Sequence, residues 1–343
     1  MKRSDLYFNL PEELIAQQPV HPAHEARLLV LDKTKQNMQH SSFKNLCDFL
    51  LPSDILIFND SKVLPARLVG TKPTGGKVEI LLIRKISENH WEAMVKYGAE
   101  NMGKSFTLSQ NLSGTIESKF TDSYVIHFSL GGNEFIQEIL KIGTIPTPPY
   151  ITEMVKESDY QNVFARDEKL GSVAAPTAGL HFTNELLDKI KAHGNEIAFV
   201  TLHVGMGTFM PVHYEDLSTH KMHTEHFEVP LTTLELIRKA KSEGRRVIAV
   251  GTTVCRTLES IHNIITSTTE ITTPIIGETD IFITPGYEFK IIDALITNFH
   301  TPYSTLLALV MAFGGQGCIV NAYEVAIKER YRFYSLGDGM LIF

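Results

Sequence analysis

Histidine is unusually dense in one stretch of the chain, at His203, His213, His220, His223 and His226, with Glu225 two residues from His223. Imidazoles beside a carboxylate suit proton transfer near neutral pH, hydrogen bonding or metal binding. The run His220-Lys221-Met222-His223-Thr224-Glu225-His226 matches neither an HExxH helix nor a zinc-finger pair, and Phe227-Glu228-Val229-Pro230 reads as a strand. Hydrogen-bonding or proton-moving imidazoles are therefore favoured, and no metal is expected. In an extended segment His223 and Glu225 share a face.

A second stretch, GSVAAPTAGLHFT from Gly171 to Thr183, combines small residues, a proline and His181 just ahead of an apolar helical pattern (Leu186, Leu187, Ile190). Thr183 reads as the N-cap of that helix. Small residues at such a place let a ligand approach unpaired backbone N–H groups, and an ordinary Pro/Gly loop is the competing reading. Three strand-like segments end in similar polar groups: Thr201-Leu202-His203, Gly251-Thr252-Thr253 and Thr297-Asn298-Phe299-His300. In open α/β sheets ligands bind outside the carboxyl ends of strands, so these ends and Gly171–Thr183 are expected to share one crevice. Common phosphate motifs fail. Gly205-Met206-Gly207-Thr208-Phe209-Met210 has Met where the third glycine belongs, and GTKPTGGK ends in a displaced Lys77 followed by Val78. A dinucleotide dehydrogenase and a P-loop NTPase are both rejected.

The elements that would position these residues fall into two textures. Residues 1–62 hold strands at Arg27–Asp32 and Asp54–Asn59, with helical turns near Pro11 and Phe43. From Val63 to Pro148, short alternating runs separated by Gly, Pro and Asn predict a small all-β barrel closed by a helix at Asn133–Ile142. From 149 onward strands alternate with helices: Glu196–His203, Arg246–Val250, Asp280–Thr284, Ala294–Thr297 and Met340–Phe343, with Ser304 capping an apolar helix. The fold class is α/β (α+β): a large mixed-sheet domain of 1–62 and 149–343, with an inserted β-barrel domain of 63–148.

Composition agrees with a globular chain of 343 residues, 43% hydrophobic and 21% charged. Cys47, Cys255 and Cys318 are few, odd in number and widely spaced, which points to a reducing compartment, the cytoplasm by default. No apolar run of membrane-spanning length and no signal-peptide core is present, so no membrane is expected. A formal net charge of −7 means that any nucleic-acid face is local. Lys62, Arg67, Lys72 and Lys77 form such a patch at the expected domain junction.

Taken together, these motifs resemble the S-adenosylmethionine:tRNA ribosyltransferase-isomerase family of queuosine biosynthesis. The resemblance runs through Asn59–Leu68, Thr74–Glu79, Gly171–Thr183, Thr201–Phe209, Met222–Glu225, Val250–Thr253, Thr297–His300, Ser304–Leu307 and Tyr331–Asp338. Tyr303 departs from it, since the family often has Lys or Arg there. The resemblance implies a monomeric cytoplasmic enzyme with S-adenosylmethionine as co-substrate, no permanently bound cofactor, and tRNA carrying preQ1 at the wobble position as partner. It implies ribosyl transfer to the preQ1 amine, loss of adenine and methionine, and rearrangement to epoxyqueuosine. The sulfonium acidifies the adjacent CH₂, and adenine needs a proton as it leaves. His181, His203, His223 and His300 are expected to include the base and the acid, with Glu225 orienting one of them. Thr252, Thr253 and Asn298 are expected to hold the ribose or the methionine carboxylate, with Thr177, Gly179, Gly205 and Gly207 leaving room for the ligand. Asp338 is expected to face the sulfonium or the amine, and Lys62, Arg67, Lys72 and Lys77 the tRNA. The rivals are a non-catalytic RNA-binding adaptor built on the barrel and a metal hydrolase using His220, His223 and His226.

Overall fold

The computed structural model describes every residue except 98–100, 121–122, 149, 154, 206–214, 218–219 and 221. By internal packing the chain divides into one unit of Met1–Lys62, Pro149–Leu170 and Ala175–Phe343, and another of Val63–Pro148 and Gly171–Ala174. The strands in chain order begin with β1 (Arg27–Asp32), β2 (Asn37–Ser42), β3 (Ile55–Asn59) and β4 (Lys62–Val63). Those of the second unit are β5 (Arg67–Thr71), β6 (Lys77–Lys85), β7 (His90–Lys96), β8 (Ser105–Thr107), β9 (Ser113–Lys119) and β10 (Tyr124–Phe128), followed by helix α1 (Gly132–Ile142). After the short β11 (Leu170–Ser172) come α2 (Asn184–Ala192), β12 (Glu196–Leu202), β13 (Glu225–Val229), α3 (Leu231–Ser242) and β14 (Val247–Val250). The chain ends with α4 (Thr252–Ser260), α5 (His262–Thr266), β15 (Ile275–Thr279), β16 (Ala294–Asn298), α6 (Thr305–Gly314), α7 (Gln316–Lys328) and β17 (Gly339–Ile342).

The first unit is built on a mixed sheet in the order β15-β13-β12-β3-β14-β16-β17-β1-β2. Its middle is parallel: β12 pairs with β3, β3 with β14, and β14 with β16. Those four strands therefore deliver their carboxyl ends to the same edge. Every residue of β3, β14 and β16 is buried, which is why they read as unbroken apolar runs and not as alternation. Phe58 on β3 anchors one face, its ring 4.8 Å from Phe182 and 4.9 Å from Phe164. Leu186 and Ile190 of α2 join the same core. Helix α6 buries nearly all of its length, and among the described residues no single helix is long and apolar enough to cross a membrane.

The second unit is a closed antiparallel barrel in the order β10-β7-β6-β5-β8-β9. Its strands alternate buried and exposed residues, as in Arg67–Thr71. Phe135 of α1 packs its ring against Trp91 and Phe128. Gly114 admits the Phe106 ring, whose nearest atom would lie 2.5 Å from any Cβ placed there.

Several segments differ from their sequence reading. The strand expected at Asp280–Thr284 is at Ile275–Thr279, where it pairs with β13. The Ile281 carbonyl is taken instead by the Arg256 side chain, whose Nε donates to it at 3.3 Å. Val254 to Ile265 form two helices, α4 and α5, parted at Ile261. Helix α7 begins at Gln316 after Gly315 turns the chain at φ 82°. The polar strand β2 had no apolar alternation to announce it, being held by its ladder to β1. The N-caps at Thr183 and Ser304 are formed, their hydroxyls accepting from the Leu186 and Leu307 N–H groups.

Candidate active site

A cavity of about 760 Å³, counting its open mouth, lies at the carboxyl edge of the parallel strands. Val204 follows β12, Gly251-Thr252-Thr253 follow β14, and Thr297 to Thr301 end and follow β16; all line it. Ala175 to Ala178 close one side, and Tyr150, Tyr334 and Ser335 another. Gly251 makes the first turn possible. It sits at φ 100°, a region that side chains avoid, and lets the chain pass from β14 straight into α4. No side chain caps α4, so its first N–H groups open beside Thr252 and Thr253 on the cavity.

Asn298 has three side-chain partners in the site. Its amide nitrogen faces the Tyr334 carbonyl at 3.3 Å, and a carbonyl can only accept, which fixes the amide orientation. The amide oxygen then accepts from the Thr177 hydroxyl at 2.9 Å. The same amide nitrogen is 3.3 Å from His181 Nε2. That ring nitrogen must therefore be the acceptor, with the ring proton on Nδ1. Burial pushes the His181 imidazolium down to about 3, and the nearby Arg332 charge adds to this, so electrostatics and hydrogen bonding agree on a neutral ring. It stacks on Phe43, ring centres 4.1 Å apart.

His300 lines the cavity directly, its Nε2 2.9 Å from the Thr297 hydroxyl. Burial holds it neutral as well, down to about 3. Its backbone N–H donates to the Tyr323 hydroxyl at 2.9 Å. Behind the cavity Asn59, at the end of β3, donates to the Leu202 carbonyl and the Thr253 hydroxyl and accepts from the Leu202 N–H. It thus ties the ends of β3, β12 and α4 together. Tyr150 and Tyr334 are both pushed up to about 12 by burial and so remain protonated donors. The Tyr150 hydroxyl is 2.6 Å from that of Ser335.

Of the residues expected from sequence, Thr177, Thr252, Thr253, Asn298 and His300 line the cavity, and His181 reaches it through Asn298. Gly207 lies outside the described residues. Gly205 is beside the cavity and not in its lining; its N–H donates to Glu225 Oε1 at 3.1 Å. Gly179 is a packing position, where a Cβ would meet Asn162 Oδ1 at 2.7 Å. His203 is half-buried, lowered in pKa by burial and then by the charges of His226 and Lys169, and its side chain is not in the lining. His223 is exposed, since β13 begins only at Glu225 and the shared face expected for that pair does not extend back to it. Glu225 turns inward and forms a buried ion pair with Arg256. Asp338 is buried away from the cavity, accepting from the Arg27 and Arg332 backbone N–H groups.

The four basic residues are all accessible to some degree: Lys62 pairs with Asp167, Lys77 with Glu79, Lys72 lies over the Tyr97 ring, and Arg67 is exposed on β5. Sequence reasoning missed Tyr150, Tyr334, Ser335 and Asn59 as site-builders. Tyr334-Ser335 lies within a distinctive motif, and Tyr334 adopts φ 74°, but sequence shows neither strain nor convergence. Among the described residues no group of three or more His, Cys, Asp or Glu side chains is arranged to hold a metal ion.

A family model described as "Queuosine biosynthesis protein" matches residues 3–342. An S-adenosylmethionine:tRNA ribosyltransferase-isomerase of Clostridioides difficile (strain 630) is 47% identical, with both chains covered in full. One of the same name from Carboxydothermus hydrogenoformans is 48% identical, again with both chains covered in full. The crystal structure of S-adenosylmethionine tRNA ribosyltransferase from Thermotoga maritima superposes with a TM-score of 0.58 at 35% identity, covering 99% of this chain and all of that one.

Proposed function

The chain belongs to the queuosine biosynthesis protein family, and from that premise we propose that the strand-end cavity binds S-adenosylmethionine and transfers its ribosyl group to tRNA. The acceptor is the aminomethyl group of preQ1 at the wobble position; adenine and methionine leave, and the ribose rearranges to the epoxycyclopentanediol of epoxyqueuosine. The observation that carries this reading is the lining itself. Among the described residues it offers hydroxyls, one amide, aromatic rings and a neutral imidazole, with no Lys, Arg, Asp or Glu. A sulfonium cation meets no repelling charge there, and Tyr150 and Tyr334 offer π faces to it or to adenine. The uncapped N-terminus of α4, with Thr252 and Thr253, suits the methionine carboxylate. Asn298 and Thr177 suit the ribose hydroxyls.

His300 is the imidazole among the described lining residues, so we give the proton-transfer role to it. Burial keeps it neutral, and its place on the cavity wall makes it the candidate for exchanging a proton with the acidified 5′ carbon. His181 is a positioning residue that acts through Asn298. Lys62, Arg67, Lys72 and Lys77 are proposed to meet tRNA phosphates, with affinity falling as salt rises. The protein is proposed to act as a monomer in the cytoplasm, and Cys47, Cys255 and Cys318 are all free thiols. Incubation with S-adenosylmethionine and preQ1-containing tRNA tests the reaction. Stoichiometric adenine and ribosylated tRNA are expected, and no adenine above the tRNA-free control would overturn it.

A further inference from the structure

A second cavity, about 770 Å³ with its mouth, lies in the same unit on the other side of His181. Its walls include Pro19, His21, Asp159, Gln161, His181 and Ser335. The partition between the two cavities is thin. Ser335 lines both, and the His181 ring on one side is hydrogen-bonded to the Asn298 amide on the other, at 3.3 Å.

A group transfer needs donor and acceptor held within about 3–3.5 Å of each other, so two substrates require adjoining subsites. The second cavity adjoins the one proposed for S-adenosylmethionine, and its chemistry differs. Asp159 brings a carboxylate whose side chain is only 12% exposed. That carboxylate is barely used by the protein. Oδ2 is 3.6 Å from His21 Nε2, and Oδ1 takes the Ser158 hydroxyl at 3.5 Å, both at or beyond the limit of a hydrogen bond. Asp159 is thus a weakly engaged carboxylate in the lining of a pocket whose walls also include Pro19, Val20 and Pro22.

A guanine-type ring presents two adjacent donors, its ring N–H and its exocyclic amine, which a carboxylate accepts as a pair. We propose that this second cavity receives the guanine-type base of the tRNA acceptor, swung out of the anticodon loop, with Asp159 reading its N–H/NH₂ edge. The inference rests on the ribosyl-transfer reading of the first cavity. A loop base is already largely free of pairing, so its extrusion costs little. Seated there, the base turns its substituted side to Ser335, which lines both cavities, and its amine has to pass Ser335 to reach the ribosyl donor.

The test uses the full chain with two tRNAs, one carrying preQ1 and one carrying the analogue that lacks the exocyclic 2-amino group. The wild type should favour preQ1 by about 10-fold or more in kcat/KM. Asp159→Asn should raise the tRNA KM by about 10-fold and lose most of that preference, because its amide offers one acceptor in place of two. Its affinity for S-adenosylmethionine, measured by calorimetry, should stay at the wild-type value. Val163→Trp is a second, independent variant: Val163 is 51% exposed at the cavity wall, so a larger side chain there blocks entry without burdening the core. It too should raise the tRNA KM with unchanged S-adenosylmethionine binding. Adenine release by the wild type together with unaltered tRNA KM and base preference in Asp159→Asn, or an unaltered KM in Val163→Trp, overturns the subsite and leaves the reaction standing. Absence of adenine release by the wild type removes the reaction and the subsite with it.

Discussion

Strand ends in the large unit and strands in the barrel both carry polar residues, neutral in the first and charged in the second, and they hold them in opposite ways. In the large unit Asn59, Thr297, Asn298 and His300 are buried and bonded to one another and to backbone. In the barrel, Lys77–Glu79, Arg84–Glu92 and Lys85–Glu88 are exposed pairs. A buried polar group without its partner costs about 1–3 kcal/mol, whereas an exposed ion pair contributes about 0–1 kcal/mol. Hence the first set is held to one geometry, which suits the reacting site proposed there, while the second is free to trade partners, which suits the phosphate-facing surface proposed for the barrel.

The sharpest way to break this contrast is Asn298→Ala. It strips Thr177, His181 and the Tyr334 carbonyl of their common partner, and single-turnover adenine release should fall by about 100-fold or more. Retained activity would mean that the network is scaffolding only. Next in size, Arg256→Met leaves Glu225 charged and buried, and should destabilise the chain by about 3–5 kcal/mol in urea unfolding. Acidification probes the same unit. His181 and His300 have folded-state pKa values near 3, below the unfolded value of about 6.5, so the unfolded chain binds more protons between those limits. Their contribution is complete above pH 6.5 and drains away as the pH falls toward 3. His181→Gln should flatten that acid limb in urea titrations, and an unchanged slope would contradict a buried neutral ring. The smallest effect belongs to the barrel. Lys77→Ala should leave stability within about 0.5 kcal/mol of wild type, yet lower the salt slope of the tRNA KM. A loss of adenine release at saturating tRNA would place Lys77 in the chemistry instead.

Much of the fold was legible because its central strands are apolar runs with Gly, Thr and Asn at their ends, and because barrel strands alternate around turn residues. The Thr183 and Ser304 caps announced their helices. What stayed hidden depends on tertiary partners. β2 is polar and exists through its pairing with β1. The 280–284 segment looked like a strand by composition, but its Ile281 carbonyl is satisfied by Arg256. At the site, Thr252, Thr253, Asn298 and His300 were visible from their place at strand ends. Asn59 works through tertiary hydrogen bonds that its place at a strand end does not reveal, and Tyr150 lies far in sequence from Tyr334 and Ser335, so only folding brings them to one wall. The density of histidines was misleading in part: His223 is exposed, and His226 pairs with Glu278 at the surface.

The ligand is proposed to sit at the carboxyl ends of β12, β14 and β16, and a crystal structure of the chain with S-adenosylmethionine tests that placement. The methionine carboxylate is expected at the first turn of α4 by Thr253, with the ribose within hydrogen-bond reach of Asn298. S-adenosylmethionine bound elsewhere, with this cavity holding only solvent, would contradict it.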